Sequence, residues 1–125
     1  LLPQAATFDY IYLTDIEINM RLEDKGQILP PPVLNKYLQM VSEEIQKWSN
    51  IISATHWDLY DRTKVDGADF YLGKKELGHI HLDGWVHLAT NKELSQLMLK
   101  NKLAEKFPYA QNWVMFSIKL RQAQW

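Results

Sequence analysis

Asp83-Gly84 constrains this chain more than any other pair of residues. Asp-Gly between two short runs of strand-forming residues is a strong local signal for a β-hairpin, because glycine adopts the positive φ that tight turns need. The arms of the hairpin are Lys75 to Leu82 and Trp85 to Ala89, and they hold His79, His81 and His87. Three of the chain's four histidines therefore fall on one hairpin.

Register decides what those histidines can do. A two-residue loop at Asp83-Gly84 pairs His81 with Val86 and Ile80 with His87, which mixes imidazoles and aliphatics on both faces. A three-residue loop, Leu82-Asp83-Gly84 with Gly84 left-handed, pairs His81 with Trp85 and His79 with His87. One face then carries His79, His81, Trp85 and His87, and the other carries Ile80, Val86 and Leu88. The second register is preferred, since a buried apolar face normally selects the pairing.

The rest of the chain supplies a frame for the hairpin. Phe8 to Leu22 is rich in β-branched and aromatic residues and reads as extended segments or a short helix. After Gly26 and Pro30-Pro31-Pro32, a helix is expected from about Pro32 to Asn50. It is marked by a stripe of Leu34, Leu38, Val41, Ile45, Trp48 and Ile52. Strands follow at Thr55 to Arg62, Ala68 to Leu72, Lys75 to Leu82 and Trp85 to Ala89. Thr90-Asn91-Lys92-Glu93 has the form of a capping box opening a second helix. Trp113 to Lys119 reads as a last strand.

The order helix, three to four strands, helix, strand predicts an α+β fold. It is a single domain over 1–125, an antiparallel sheet of four to five strands with helices packed on one side. Residues 1–30 form an N-terminal extension of uncertain structure.

Composition narrows the function. The 125 residues are 46% hydrophobic, enough for one core. With 14 Lys and Arg against 15 Asp and Glu, the formal net charge is −1, and nucleic-acid binding is not expected without a basic face. There is no apolar run near the ~20 residues that span a bilayer, so no membrane partner is expected. The start lacks Met and shows no signal peptide. A trimmed chain and a cytoplasmic location are the default expectations. Zero cysteines exclude disulfides, thiolate ligands and thiol nucleophiles. A Gly-x-Ser-x-Gly elbow, a phosphate-cradling loop and a dinucleotide fingerprint are all missing. Ser117 reads as a packing residue.

The histidine face supports several chemistries. His79, His81 and His87 could share a divalent metal such as zinc, with a position left for water. The same imidazoles could act as general acid and base or bind a small-molecule ligand. A packed polar surface without chemistry uses the same residues. Trp85 reads first as a sheet-packing residue and borders the candidate ligand site. Glu76 has the wrong parity to join the histidines in an unbroken strand, unless a bulge near Gly78 brings it round. Arg62 is the expected partner for Glu76 and completes the candidate ligand set. His56 reads as a lone structural histidine on an exposed strand face.

The stretch Glu76-Leu77-Gly78-His79-Ile80-His81, with Gly84 three residues on, resembles the luciferase-domain family. Arg62, Gly67 and Phe70 before it add to the resemblance, as do the helix after Thr90, Ala104-Glu105, and Trp113-Val114 with Phe116. The resemblance covers 55–125. It implies a small α+β domain and no assigned reaction. Family members often carry an acidic residue where His87 stands, and one or two histidines where this chain reads Lys106-Phe107-Pro108. They also tend to continue into another helix, so truncation at Trp125 is expected.

Two functions are consistent with these readings. One is small-ligand or divalent-metal binding at the histidine hairpin. The alternative is a protein-protein interaction module without catalytic chemistry, in which Phe8 to Leu13 pairs with a sheet edge of a second subunit to form a homodimer.

Overall fold

The computed structural model describes residues 20–118. Its centre is a six-stranded antiparallel sheet of order β1-β2-β3-β4-β6-β5. The strands are β1 (Ile51–Trp57), β2 (Val65–Leu72), β3 (Lys75–His81), β4 (Trp85–Ala89), β5 (Glu105–Lys106) and β6 (Trp113–Ser117). Helix α1 (Lys36–Gln46) precedes the sheet and α2 (Lys92–Lys100) joins β4 to β5. The α+β class and single small domain match the expectation, but the sheet has six strands where four to five were predicted. The addition is β5, two residues paired to β6, too short to leave a periodic signal.

Alternation sends the sheet's two faces to different fates. Ala68, Phe70, Ile80 and Val86 bury one face against Leu34 and Leu38, with Val41 and Ile45 of α1 packed alongside. The opposite face carries Ala54 and Tyr71, which pack with Leu22 from a short 3-10 turn (Leu22–Asp24). That face also carries the histidines. Among the described helices α1 alone covers the core; α2 buries none of its residues, so the two are not both packed on the sheet as predicted. Within the described residues, no helix is long and apolar enough to cross a membrane.

Several boundaries moved for local reasons. Helix α1 starts at Lys36, where the N-cap Asn35 is non-helical with ψ 155°, and the Leu34 amide donates to Gln39 Oε1 at 2.8 Å. The predicted first strand, Thr55 to Arg62, begins earlier and ends at Trp57. There Asp58 Oδ1 accepts from the amides of Tyr60 and Asp61, a side-chain turn that stops the strand. Thr90 does not cap α2: its hydroxyl donates to the Asn112 carbonyl at 2.6 Å, and Asn91 Oδ1 takes the Leu94 amide instead. The Phe8 to Leu13 segment lies outside the described residues.

Gly67 is the tightest point of the sheet. It pairs with His56 on β1 and His81 on β3, and a Cβ there would sit 1.9 Å from the Ile80 carbonyl oxygen. No side chain fits without moving β3. Gly67→Ala is expected to destabilise by about 1–3 kcal/mol through overpacking. Urea unfolding would show it as a lower midpoint at unchanged slope.

Candidate functional site

Two rows of paired residues build the site. Asp69, His79, His87 and Met115 are cross-strand partners from β2 to β6. His56, Gly67 and His81 form the next row. Because Gly67 has no side chain, the rings of His56 and His81 close over it, with centroids 5.1 Å apart. His56 also stacks on His79 at 4.1 Å, with planes 9° apart. All four histidines converge on one face of the sheet. The hairpin register is the three-residue-loop one, with His79 opposite His87 and Ile80 opposite Val86. Gly84 has φ +99°, and its amide donates to the His81 carbonyl.

A bulge delivers the first carboxylate. Phe70 pairs with Gly78 and Tyr71 with Glu76, so Leu77 is the extra residue on β3. Glu76 consequently turns to the histidine side, where Oε2 lies 2.5 Å from His79 Nδ1. Asp69 Oδ1 holds His56 Nδ1 at 2.7 Å, and Asp66 Oδ2 holds His81 Nδ1 at 2.8 Å. Three imidazoles therefore each have a carboxylate on Nδ1. That arrangement places the ring proton on Nδ1 and the lone pair on Nε2. His87 joins through Nδ1, 2.9 Å from His79 Nε2 and 3.4 Å from His81 Nε2.

Lys25 neutralises the buried acids. Its ammonium lies 2.6 Å from Glu76 Oε1 and 3.5 Å from both Asp69 oxygens, with only 2% of the residue exposed. Burial opposes its charge, yet Glu76 and Asp69 outweigh burial and raise its pKa. Burial also pushes the Glu76 carboxyl up, to about 7, against the pull of Lys25 and with Asp69 repelling it. The Tyr71 hydroxyl donates to the Met20 carbonyl at 2.7 Å and lies 3.3 Å from Glu76 Oε1.

Burial, reinforced by the neighbouring histidines, sets His79 well below its ordinary pKa. It also lowers His87 to about 4. At neutral pH both rings are uncharged. Asp66 is held below its usual range: its hydrogen bond and charge interaction with His81 overcome its burial.

Above the histidines lies a cavity of about 480 Å³. His56, His79, His81, His87 and Asp66 line its polar part, and Trp85, Phe107, Tyr109 and Met115 line its apolar part. Two overlapping groups have the spacing to hold a metal ion. His56, His79 and His81 offer ligand atoms all within 4.8 Å of one another, and so do Asp69, Glu76 and His79.

The structure gathers Glu76, His79, His81, His87 and Trp85 around one site and leaves Arg62 out of it. The Arg62 guanidinium donates to the Asp24 carbonyl at 3.0 Å and to Met20 Sδ, at an exposed position. The cation on Glu76 is Lys25. His56 is likewise not an exposed structural residue. It is 3% exposed and stands inside the cluster, opposite Gly67 and bonded to the buried Asp69. Asp66, Asp69 and Phe107 were also missed. An aspartate inside the run Ala68 to Leu72 was the one available signal, since a carboxylate in a buried strand requires a partner.

A small α+β domain with a histidine–carboxylate cluster at the floor of a cavity is the class these observations define. A family model described as Luciferase domain matches residues 74–122, from β3 through β6, as the resemblance implied. The match takes in Glu76, His79, His81, Trp85 and His87, while His56, Asp66, Asp69 and Lys25 precede it. No curated protein and no solved structure matches the chain.

Two outcomes are expected. Lys25→Met strips the counter-charge from two buried carboxylates and should cost about 3–5 kcal/mol in chemical denaturation. Stability should also fall with acid. Unfolded His87 takes up its proton near pH 6.5 but folded His87 only near 4, so its contribution is complete above about 6.5 and lost as pH falls through about 4. Melting temperatures measured across that window should decline less steeply in His87→Gln than in the parent.

Proposed function

We propose that the histidine cluster binds a divalent transition metal, with zinc the leading candidate, and presents it to a small molecule in the adjoining cavity. The observation that carries this reading is the set of three Nδ1–carboxylate pairs. Metal-bound histidines characteristically use such partners to fix the tautomer and raise the basicity of the ligating nitrogen. Here Glu76, Asp66 and Asp69 do so for His79, His81 and His56.

Spacing and protonation support the same reading. Ligands about 2 Å from a tetrahedral ion lie about 3.3 Å from one another. His87 Nδ1 is 2.9 and 3.4 Å from the Nε2 atoms of His79 and His81. Burial favours the neutral ring at His79 and at His87, so a metal there does not have to displace an imidazolium charge. His56, His79 and His81 form the group whose ligand atoms lie within 4.8 Å of one another, and His87 is the alternative third nitrogen through its distances to His79 and His81. When bound, the metal would supply Lewis acidity and a coordination position open to water or to a ligand donor. Nitrogen donors without thiolates suit zinc, nickel or copper better than calcium or magnesium.

Calorimetric titration of zinc, nickel and manganese into chelator-stripped protein tests the proposal. Tight binding of zinc is expected, lost in His79→Ala/His81→Ala and weakened about 10–100-fold in Glu76→Gln. Comparing His87→Ala with His56→Ala identifies the third ligand. Binding no stronger than millimolar, or binding that the double variant retains, would sink the proposal.

A further inference from the structure

The geometry points to a flat aromatic, non-phosphorylated molecule with one compact donor group as the occupant of the cavity, its donor end directed at the histidines. This rests on the metal-binding reading above and deepens it.

The polar and apolar parts of the cavity are continuous. Ring contacts run outward from the floor: His79 to His87 at 4.8 Å, His87 to Phe107 at 4.7 Å, and Phe107 to Tyr109 at 5.6 Å. Trp85 and Met115 extend the same wall, and Leu59 lines the cavity with them. Phe107 is 3% exposed, so the ring nearest the histidines is held in place by packing. A volume of about 480 Å³ lies within the range of small-molecule sites, which are mostly apolar with a few convergent polar groups. Aromatic walls favour a ligand ring through stacked or edge-to-face contacts.

Side-chain charge argues against the common alternative, a phosphorylated ligand. Among the described residues no Lys or Arg lines the cavity. Phosphate recognition relies on such cations or on amide-rich loops. Both lining carboxylates are engaged: Asp66 by His81, and Asp58 by the amides of Tyr60 and Asp61. Apart from the metal itself, the described lining thus offers no cationic clamp for a polyanion and no uncommitted carboxylate for an organic dication. A single donor such as a carboxylate, phenolate or hydroxamate matches the nitrogen-lined floor.

Benzohydroxamate and acetohydroxamate carry the same donor and differ in the ring, so their affinities isolate the wall. Both are titrated into the zinc-loaded and the chelator-stripped protein, and cobalt absorption reports metal loading independently. With zinc bound, benzohydroxamate is expected to bind about tenfold or more tighter. The ratio should collapse toward unity in Trp85→Ala and in Tyr109→Ala. Two variants are used so that misfolding of either, checked by circular dichroism, leaves the other to decide. Metal loading with no preference for the ring overturns the aromatic ligand and leaves the metal site standing. A ring preference that is the same with and without zinc supports the aromatic ligand and removes the metal from it. Neither metal loading nor ring preference overturns both.

Discussion

Lys25 makes the rest of the site possible. Asp69 and Glu76 are buried together on the histidine face, and two carboxylates in that position would repel each other and pay separately for lost hydration. The ammonium between them supplies the compensating charge, while its own burial is offset by those same two acids. Each acid then uses its remaining capacity on a histidine, Asp69 on His56 and Glu76 on His79. The orientation of two imidazoles thus depends on one cation from a segment that, among the described residues, precedes every α-helix and strand.

Backbone geometry does the complementary work. The extra residue Leu77 reverses the side on which Glu76 emerges, and Gly67 opens the space into which His56 and His81 turn. Both are departures from a regular strand, and both lie on β2 or β3, the strands that carry the buried acids. A regular ladder would have left Glu76 on the apolar face with Phe70 and Ile80. Irregularities of this kind in sheets commonly re-aim side chains beside functional sites.

The electrostatic result is a cluster in which burial weakens the basicity of His79 and His87, and carboxylates hold Nδ1 of His56, His79 and His81. Burial holds His79 and His87 neutral at physiological pH, and the carboxylates keep proton and lone pair on opposite sides of the other rings. The aromatic wall beginning at Phe107 continues directly from this floor, so a ligand donor brought to the histidines would lie against rings along its length.

Much of this was legible from the order of residues alone. Asp83-Gly84 determined the hairpin and, with the segregation of Ile80, Val86 and Leu88, its register; both depend on interactions a few residues apart. The stripe from Leu34 to Ile45 determined α1 and the face it covers in the same way. Tertiary structure alone decided that Lys25 and not Arg62 pairs with Glu76, that His56 lies inside the cluster, and that Asp66 and Asp69 orient two of the rings. Those contacts join residues 13 to 51 positions apart. Local patterns record which face a residue occupies but not which distant charge will neutralise it, because that depends on how the strands stack and on where the chain before them is laid down.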